Sequence, residues 1–560
     1  MELIEKVQDF IDKWDIVGLN SELQNDKHIP WLEENAWDLI PTLVEPATEQ
    51  NLAKCPQVVH ACSKLLSETV AQHGKPKEII ISILEQCEYS GSSIRFRHCL
   101  PAIQTSLLKL DSKGASLTWH WALSTLVGHV NGLDLPDIPE IEGQDDRLAL
   151  EHDQDYSDRL QITEAVTDLL KSLSFKHASE FQNSASSLNI KGTIVWSCVM
   201  LLAKPLSAMN TCDIKGSPTS SKEISDSLMN ILNHQRFNHL SFIDPNQFSE
   251  MFSKIPIDNN ILWSFGIGQI FYNHFTSPDP QIPLCYDPLY LFYQLLLPIC
   301  NMLEFQPGMS SSDYLRHEKA LILTKSLIRR IPLNAIPLDV MEKTAHTHFI
   351  SKVYHITIYH NMASVRKLGY ETYNSYFDTF GQETMALKFL VNHALVKSNH
   401  SGIIAHSIGK LKNALLRQRN SQILKGAELH TLVKKFCQVR NGAETDLLEV
   451  SDEVMASLNF LIAMFLRDKL NEFGLWDIIP ELNKDFLEPL SQGLSLSRGH
   501  YKLKLQEPKS AEVTLMVGGE VLPEMSRDQK NEVIRSALNT FDMMECVLGQ
   551  LNDVITNHKK

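Results

Sequence analysis

The chain has 560 residues, more than one hydrophobic core usually serves, so a single compact ball is excluded and either several domains or an extended repeat stack is expected. Hydrophobic residues make up 43% and charged residues 21%, a globular mixture far from the composition of disordered chains. A formal charge of -15 and a pI near 5.8 argue against a general affinity for nucleic-acid backbones, which needs dense Lys and Arg on one face.

Taken in chain order, Met1 to Asp15 sets Glu2, Glu5, Asp9 and Asp12 among apolar residues, unlike the basic-then-apolar order of a signal peptide. The cysteines, from Cys55 to Cys546, are scattered without a CxxC pair, which suits reduced thiols in the cytoplasm or nucleus, most of them buried as small hydrophobes. Apolar residues recur at helical spacing between Ile79 and Leu84 and at Ile162, Val166, Leu169 and Leu173. Leu133 to Asp158 gathers acids and two prolines and reads as a solvated acidic loop. Pro205 to Lys222, with Gly216, Ser217, Pro218, Thr219, Ser220 and Ser221 in succession, reads as a flexible connection, and Phe305 to Asp313 as a shorter one. A division near residue 245 separates an amino-terminal helical-repeat domain, 1–244, from a carboxyl-terminal one, 245–560. The most apolar run, Pro288 to Leu303, is interrupted by Gln294 and Pro298 and is shorter than the roughly 20 residues that span a bilayer. It is expected to be buried core in a soluble protein with no membrane partner.

Arg440, Asn441 and Gly442 form a helix-stop signal, after which Ser451 precedes a stripe of Val454, Leu458, Leu461 and Phe465, so two helices meet at that turn. Val513 to Val517, followed by Gly518 and Gly519, reads as a short extended piece. Ser526 stands three residues before Gln529, a capping-box arrangement, and Val533, Ala537, Phe541, Met544, Leu548 and Leu551 then predict one long amphipathic helix. Helices with one apolar face are not stable alone in water, so successive ones must stack. The expected fold is all-α, a HEAT-like helical-repeat superhelix, although no repeat signature of Trp, Pro or Asn recurs at a fixed period.

Catalytic patterns fail on inspection. His317 and Glu318 begin a zincin-like motif, but Leu321 stands where the second His would face the metal, leaving a solvated helix face as the expectation. Gly266 and Gly268 suggest a dinucleotide turn, yet Phe271 follows and no strand precedes, so close helix packing is the better reading. No phosphate-binding loop and no GxSxG elbow occurs, and His129, His355 and His360 read as hydrogen-bonded structural residues. No enzyme, cofactor or metal site is expected, and a monomer is the default.

One stretch departs from the acidic background. Between Lys397 and Arg440, the basic Lys410, Lys412, Arg417, Arg419, Lys425, Lys434 and Lys435 face a single acid, Glu428. Such a run is either a salt-solvated helix face or a docking patch for an acidic partner surface. Nucleic acid is disfavoured because stacking aromatics are lacking, Phe436 being the one aromatic there.

The stretch Gly442 to Leu448 (GAETDLL), then Ser451-Asp452 and Met455 to Asn459 (MASLN), together with Ser398 to Gly402 (SNHSG), resembles the glomulin family. The similarity continues in order through Phe486-Leu487, Pro489-Leu490, Gly493-Leu494, His500-Tyr501, Ser536 to Leu538 and Thr540 to Asp542. It is dense over 390–550. Thinner matches lie upstream at Pro76 to Glu78, Gln104-Thr105, Ala122 to Leu126 and Pro288 to Leu291. The resemblance implies a HEAT-like protein whose carboxyl-terminal domain binds the RING subunit of cullin-RING ubiquitin ligases and covers the surface that recruits the ubiquitin-conjugating enzyme. It further implies an immunophilin and a receptor tyrosine kinase as other partners. On that footing Asn399, His400, Arg417, Arg419, Asn420, Arg498, His500 and Tyr501 are expected to line the RING-binding surface, brought together by neighbouring repeats. Thr445, Met455, Leu458 and Asn459 are expected to serve helix capping and packing. The rival reading is a helical adaptor that bridges other proteins through its amino-terminal half.

Overall fold

The computed structural model describes residues 2–88, 93–137, 152–181, 187–212, 217–235, 237, 239–242, 252, 260–277, 286–305, 313–337, 339–340, 343–380, 391–392, 394–395, 400–417, 424–506, 516–517, 520–521 and 527–558. Its helices of eight residues or more are α1 Glu2–Asp12, α2 Ile16–Leu23, α3 Pro56–Leu65, α4 Pro76–Glu88, α5 Ser93–Lys109, α6 Ser112–Gly132, α7 Gln154–Lys176, α8 Ser187–Ala203, α9 Ser220–His234, α10 Asn260–Thr276, α11 Pro288–Met302 and α12 Tyr314–Ile328. They continue as α13 Thr344–Tyr359, α14 Ala363–Phe377, α15 Ser401–Arg417, α16 Ala427–Phe436, α17 Ser451–Arg467, α18 Glu488–Gln506 and α19 Arg527–His558. Strands β1 Met516–Val517 and β2 Glu520–Val521 pair antiparallel, Met516 opposite Val521, where an extended piece was expected. The fold is an all-α helical-repeat fold. The chain divides into two compact units, Met1–Arg330 with Ile356–Thr372, and Ile331–His355 with Tyr373–Lys560. The expected boundary at 244–245 lies outside the described residues.

The first unit shows why helix succession carries this fold. Ile162, Val166, Leu169 and Leu173 of α7 are all buried, as are Ile79, Ile80, Ile83 and Leu84 of α4. Each such side chain contributes roughly 1.5–3 kcal/mol on leaving water, more than the roughly 1 kcal/mol spread of ordinary helix propensities, so the apolar stripe decides where a helix forms. Helices α4, α6, α8, α10 and α12 pack one against the next, while α5, α7 and α9 form a second row against them. That is stacking of helix pairs. The stretch Asn189–Ala208 is long and apolar enough to cross a membrane by composition, but 83% of its most apolar window is buried inside the protein. Helix α8 lies between α6 and α10, which accounts for that composition. Helix α11 likewise buries Leu291, Phe292, Leu295, Ile299 and Cys300, as expected of an apolar core run.

Two loop expectations are corrected. The acidic stretch ends sooner than Asp158: Asp153 caps α7 by accepting a hydrogen bond from the Tyr156 amide at 2.9 Å, and Gln154 to Asp158 form the first helical turns. Acids favour a helix start because the first amide groups and the helix dipole both attract negative charge. Pro205 to Asn210 is buried rather than a flexible connection. The Arg316 guanidinium donates to Ser207 Oγ at 3.0 Å, and Lys319 Nζ to the Leu206 carbonyl at 2.7 Å. Two buried cations of α12 thus hold this segment in place.

In the second unit, orientation follows from named contacts. Ser401 Oγ accepts a hydrogen bond from the Glu453 amide at 2.9 Å, so α15 and α17 start side by side, and the two helices pack along their length. Helix α19 packs on α17, and Trp476, beside Phe465 at the far end of α17, stacks on His558 at the far end of α19. Helix α18 runs antiparallel to α19, since Arg498 meets Asp542 and Glu545 while Tyr501 packs on Phe541. Val454, Leu458, Leu461 and Phe465 are buried, as are Ala537, Phe541, Met544, Leu548 and Leu551. Ser451 does not cap α17: it is the first helical residue, Val450 holds the cap position, and the capping oxygen comes from Ser401. The expected Ser526 cap lies outside the described residues.

Candidate functional site

The candidate catalytic residues resolve into packing. His317 is fully buried, not on a solvated face, because its side of α12 turns into an aromatic cluster: its ring lies 4.7 Å from Phe305, 5.8 Å from Tyr314 and 5.3 Å from His360. Burial pushes the His360 imidazole down to about 4 and also lowers His129 and His355, so these rings are held neutral near pH 7. Among the described residues no group of three His, Cys, Asp or Glu side chains is placed to hold a metal ion. A Cβ at Gly266 would collide with the Val199 carbonyl, and one at Gly268 with the Met302 sulfur. Those glycines let α10 approach α8 and α11, as close helix packing requires.

The basic stretch is spread over α15, α16 and the segment between them, and most of its charges have internal partners. Lys434 pairs with Glu481, Lys435 Nζ bonds Asn392 Oδ1 at 3.1 Å, and Arg440 lies 3.7 Å from Glu453. Lys425 sits 5.8 Å from the centre of the Phe473 ring and Lys410 6.0 Å from that of Tyr373. Lys412 and the exposed Arg417 form no ion pair among the described residues. Positive charge open to a partner is therefore concentrated toward the carboxyl end of α15.

The expected interface residues are divided between two places. His400 lies just before α15 and its ring comes near Gly402, beside the Asp452 carboxylate. Segment 498–501 belongs to α18, whose Gly493 abuts the Ala443 carbonyl, and Asp446 acts on the Tyr501 hydroxyl. Both groups therefore flank the turn at 442–452. Arg417 stands at the other end of α15, 16 residues beyond Ser401, about 24 Å at 1.5 Å per residue. The structure places His400 near the Asp452 end of that turn and the 498–501 segment near its Asp446 end, with Arg417 apart from both. Asn399, Arg419 and Asn420 lie outside the described residues.

Individual environments differ as much as positions. Arg498 is bound by Asp542 at 2.6 Å and by Glu545, which joins α18 to α19 and neutralises its charge. Tyr501 is buried, its ring 5.5 Å from Phe541, and burial raises its hydroxyl above the ordinary value, with Asp446 adding to the shift. His500 is exposed. Thr445 accepts from the Asn441 amide at 3.1 Å and donates to the Gly442 carbonyl at 2.9 Å, and Leu458 is core, in keeping with capping and packing. Met455 is half-buried and Asn459 exposed.

Sequence reasoning passed over Leu466 and Leu470, which are 56% and 84% exposed. They follow the carboxyl end of α17, which runs beside α15, and Arg467 and the exposed Lys469 stand between them. A signal was available: Leu466 falls one position off the buried stripe ending at Phe465, so it cannot share that face. The carboxyl ends of α15 and α17 thus present Arg417, Leu466, Lys469 and Leu470 at the same end of the unit.

The sequence model of the YAP/Alf4/glomulin family matches residues 309–537. Glomulin of Homo sapiens is 25% identical over 570 aligned residues, covering 95% of this chain and 89% of that protein. Glomulin of Mus musculus is 24% identical over 571, with the same coverage. Among solved structures, a circular tandem repeat protein with novel repeat topology is similar at 13% identity and a TM-score of 0.22, covering 98% of this chain and 96% of that one.

Proposed function

Because this chain belongs to the glomulin family, we propose that it is a non-enzymatic regulator that binds the RING subunit of cullin-RING ubiquitin ligases and blocks access of the ubiquitin-conjugating enzyme. The observation that carries the reading is the exposed Arg417 at the carboxyl end of α15, which has no ion pair among the described residues and stands at the same end of the unit as the exposed Leu466 and Leu470. Interfaces combine apolar anchors with a charged rim that steers encounter, and arginine is enriched among their energetic centres. Inhibition would be by occupancy, with no bond made or broken. A cytoplasmic or nuclear site of action fits the described cysteines, all of which are free thiols.

The test is binding of the purified full-length chain to a cullin-RING core, read together with ubiquitin transfer from the conjugating enzyme. Tight binding with transfer lost in proportion to occupancy is the expected result. Absence of binding, or binding that leaves transfer intact, would remove the occlusion mechanism.

A further inference from the structure

Far along the chain from these residues, the first unit has an open cavity of about 280 Å³ between the end of α1, the turn at Pro46 and the start of α3. Its floor is apolar, built from Ile11, Val58 and Val59, all buried. Its rim carries two exposed carboxylates, Asp12 and Glu45, and no cation lines it among the described residues. Gln8 Nε2 donates to Asp12 Oδ1 at 2.9 Å, and the nearby Lys13 is turned away onto Asp9 at 2.6 Å. The volume lies below the roughly 300–1,000 Å³ of small-molecule and cofactor sites and suits one long side chain.

Trp14 lines the cavity together with Asn51 and Cys55 and is 40% exposed. It occupies the left-handed position that ends α1, with φ 58. Asp15 donates its amide to the Phe10 carbonyl at 2.9 Å and Trp14 donates to Ile11 at 3.0 Å, the two bonds of a helix-terminating motif that glycine fills without strain. A bulky residue here disfavours its own backbone conformation, yet it brings an indole into the same cavity lining as two carboxylates and three buried apolar side chains. An aliphatic stem with a cationic head satisfies all three features together: the stem on the floor, the head between the carboxylates and the aromatic face.

We infer that this cavity is a binding site for a lysine or arginine side chain presented by a partner polypeptide. It gives the amino-terminal unit a recognition role independent of the RING reading. Occupancy needs no movement of the core, since Ile11, Val58 and Val59 already form the floor.

The experiment uses the full-length chain labelled with 5-fluorotryptophan, whose eight tryptophans give a countable fluorine spectrum, the Trp14 line being assigned by Trp14→Phe. The probes are the capped tripeptides Gly-Lys-Gly, Gly-norleucine-Gly and Gly-Glu-Gly. The lysine peptide is expected to shift the Trp14 line saturably, with an affinity that falls as salt is raised, while the other two leave it in place. Asp12→Asn and Glu45→Gln should each weaken the lysine peptide about threefold. Trp14→Gly, followed by calorimetry, should abolish binding while leaving the unfolding midpoint unchanged or raised, because glycine relieves the backbone. An equal response to the norleucine peptide, a Kd unchanged by neutralising both carboxylates, or no saturable shift would each overturn the assignment.

Discussion

Two arginines of the second unit, Arg417 and Arg498, are both expected from the sequence at one partner surface, and they differ in physical state. Arg498 lies between Asp542 and Glu545 and holds α18 against α19. Arg417 ends α15 with no ion-pair partner among the described residues and with exposed leucines at the same end of the unit. A charge engaged inside the fold contributes to stability and offers little to a partner. One left open contributes little to stability and can steer an encounter. The two ends of the same helical unit are thus suited to different tasks.

The largest way to sharpen this contrast is to remove what lies beneath the 498–501 end. Phe541→Ala should cost about 3–5 kcal/mol in denaturant unfolding, since a fully buried ring is lost from under Tyr501, and α18 should loosen first in hydrogen exchange. Next comes Arg417→Glu, expected to weaken RING-subunit binding about tenfold, near 1.4 kcal/mol, and to flatten its dependence on salt while the melting temperature stays put. If affinity is unchanged, the α15 end takes no part in docking. Arg498→Ala should behave in the opposite sense, lowering stability by about 0.5–1 kcal/mol with affinity nearly intact. A loss of affinity larger than that of Arg417→Glu would reverse the comparison.

The smallest effect concerns Glu453, at the amino-terminal end of α17. Burial raises its carboxyl above the ordinary value, and Arg440 at 3.7 Å offsets part of that. The folded state therefore holds this proton more readily than the unfolded state does, and stability falls as pH rises from about 4.5 through the raised value. Glu453→Gln should accordingly be slightly more stable than the parent at pH 7. That advantage should vanish below the ordinary carboxylate range, where both forms are neutral. Thermal melts across pH 4 to 7 read the difference directly.

Particular residues show where sequence reasoning succeeds and stops. The stripe from Val454 to Phe465 and the one from Ala537 to Leu551 are buried as spaced, because periodicity along one helix depends only on local geometry. Gly266 and Gly268 were readable as packing glycines because nothing before them in the sequence reads as a strand. Segment 205–210 misled because its composition resembles a loop, while the groups that pin it, Arg316 and Lys319, come from more than 100 residues later. The oxygen that caps the start of α17 was hidden for the same reason, since it belongs to Ser401, 52 residues before the amide it bonds.

The candidate surface divides along the same line. Exposure of Arg417 follows from a helix end rich in lysine and arginine, and the off-stripe position of Leu466 follows from counting. The neutralisation of Arg498 and the burial of Tyr501 do not, because both depend on how α18 docks on a helix whose carboxylates are 44 and 47 residues away. The sequence by itself determined the all-α class, the buried faces of its helices and the absence of familiar catalytic motifs, since these rest on residues three or four apart. Only the tertiary structure decided which charges remain open to a partner and which loops are core, since ion pairing and burial are settled by groups that meet only when distant helices stack.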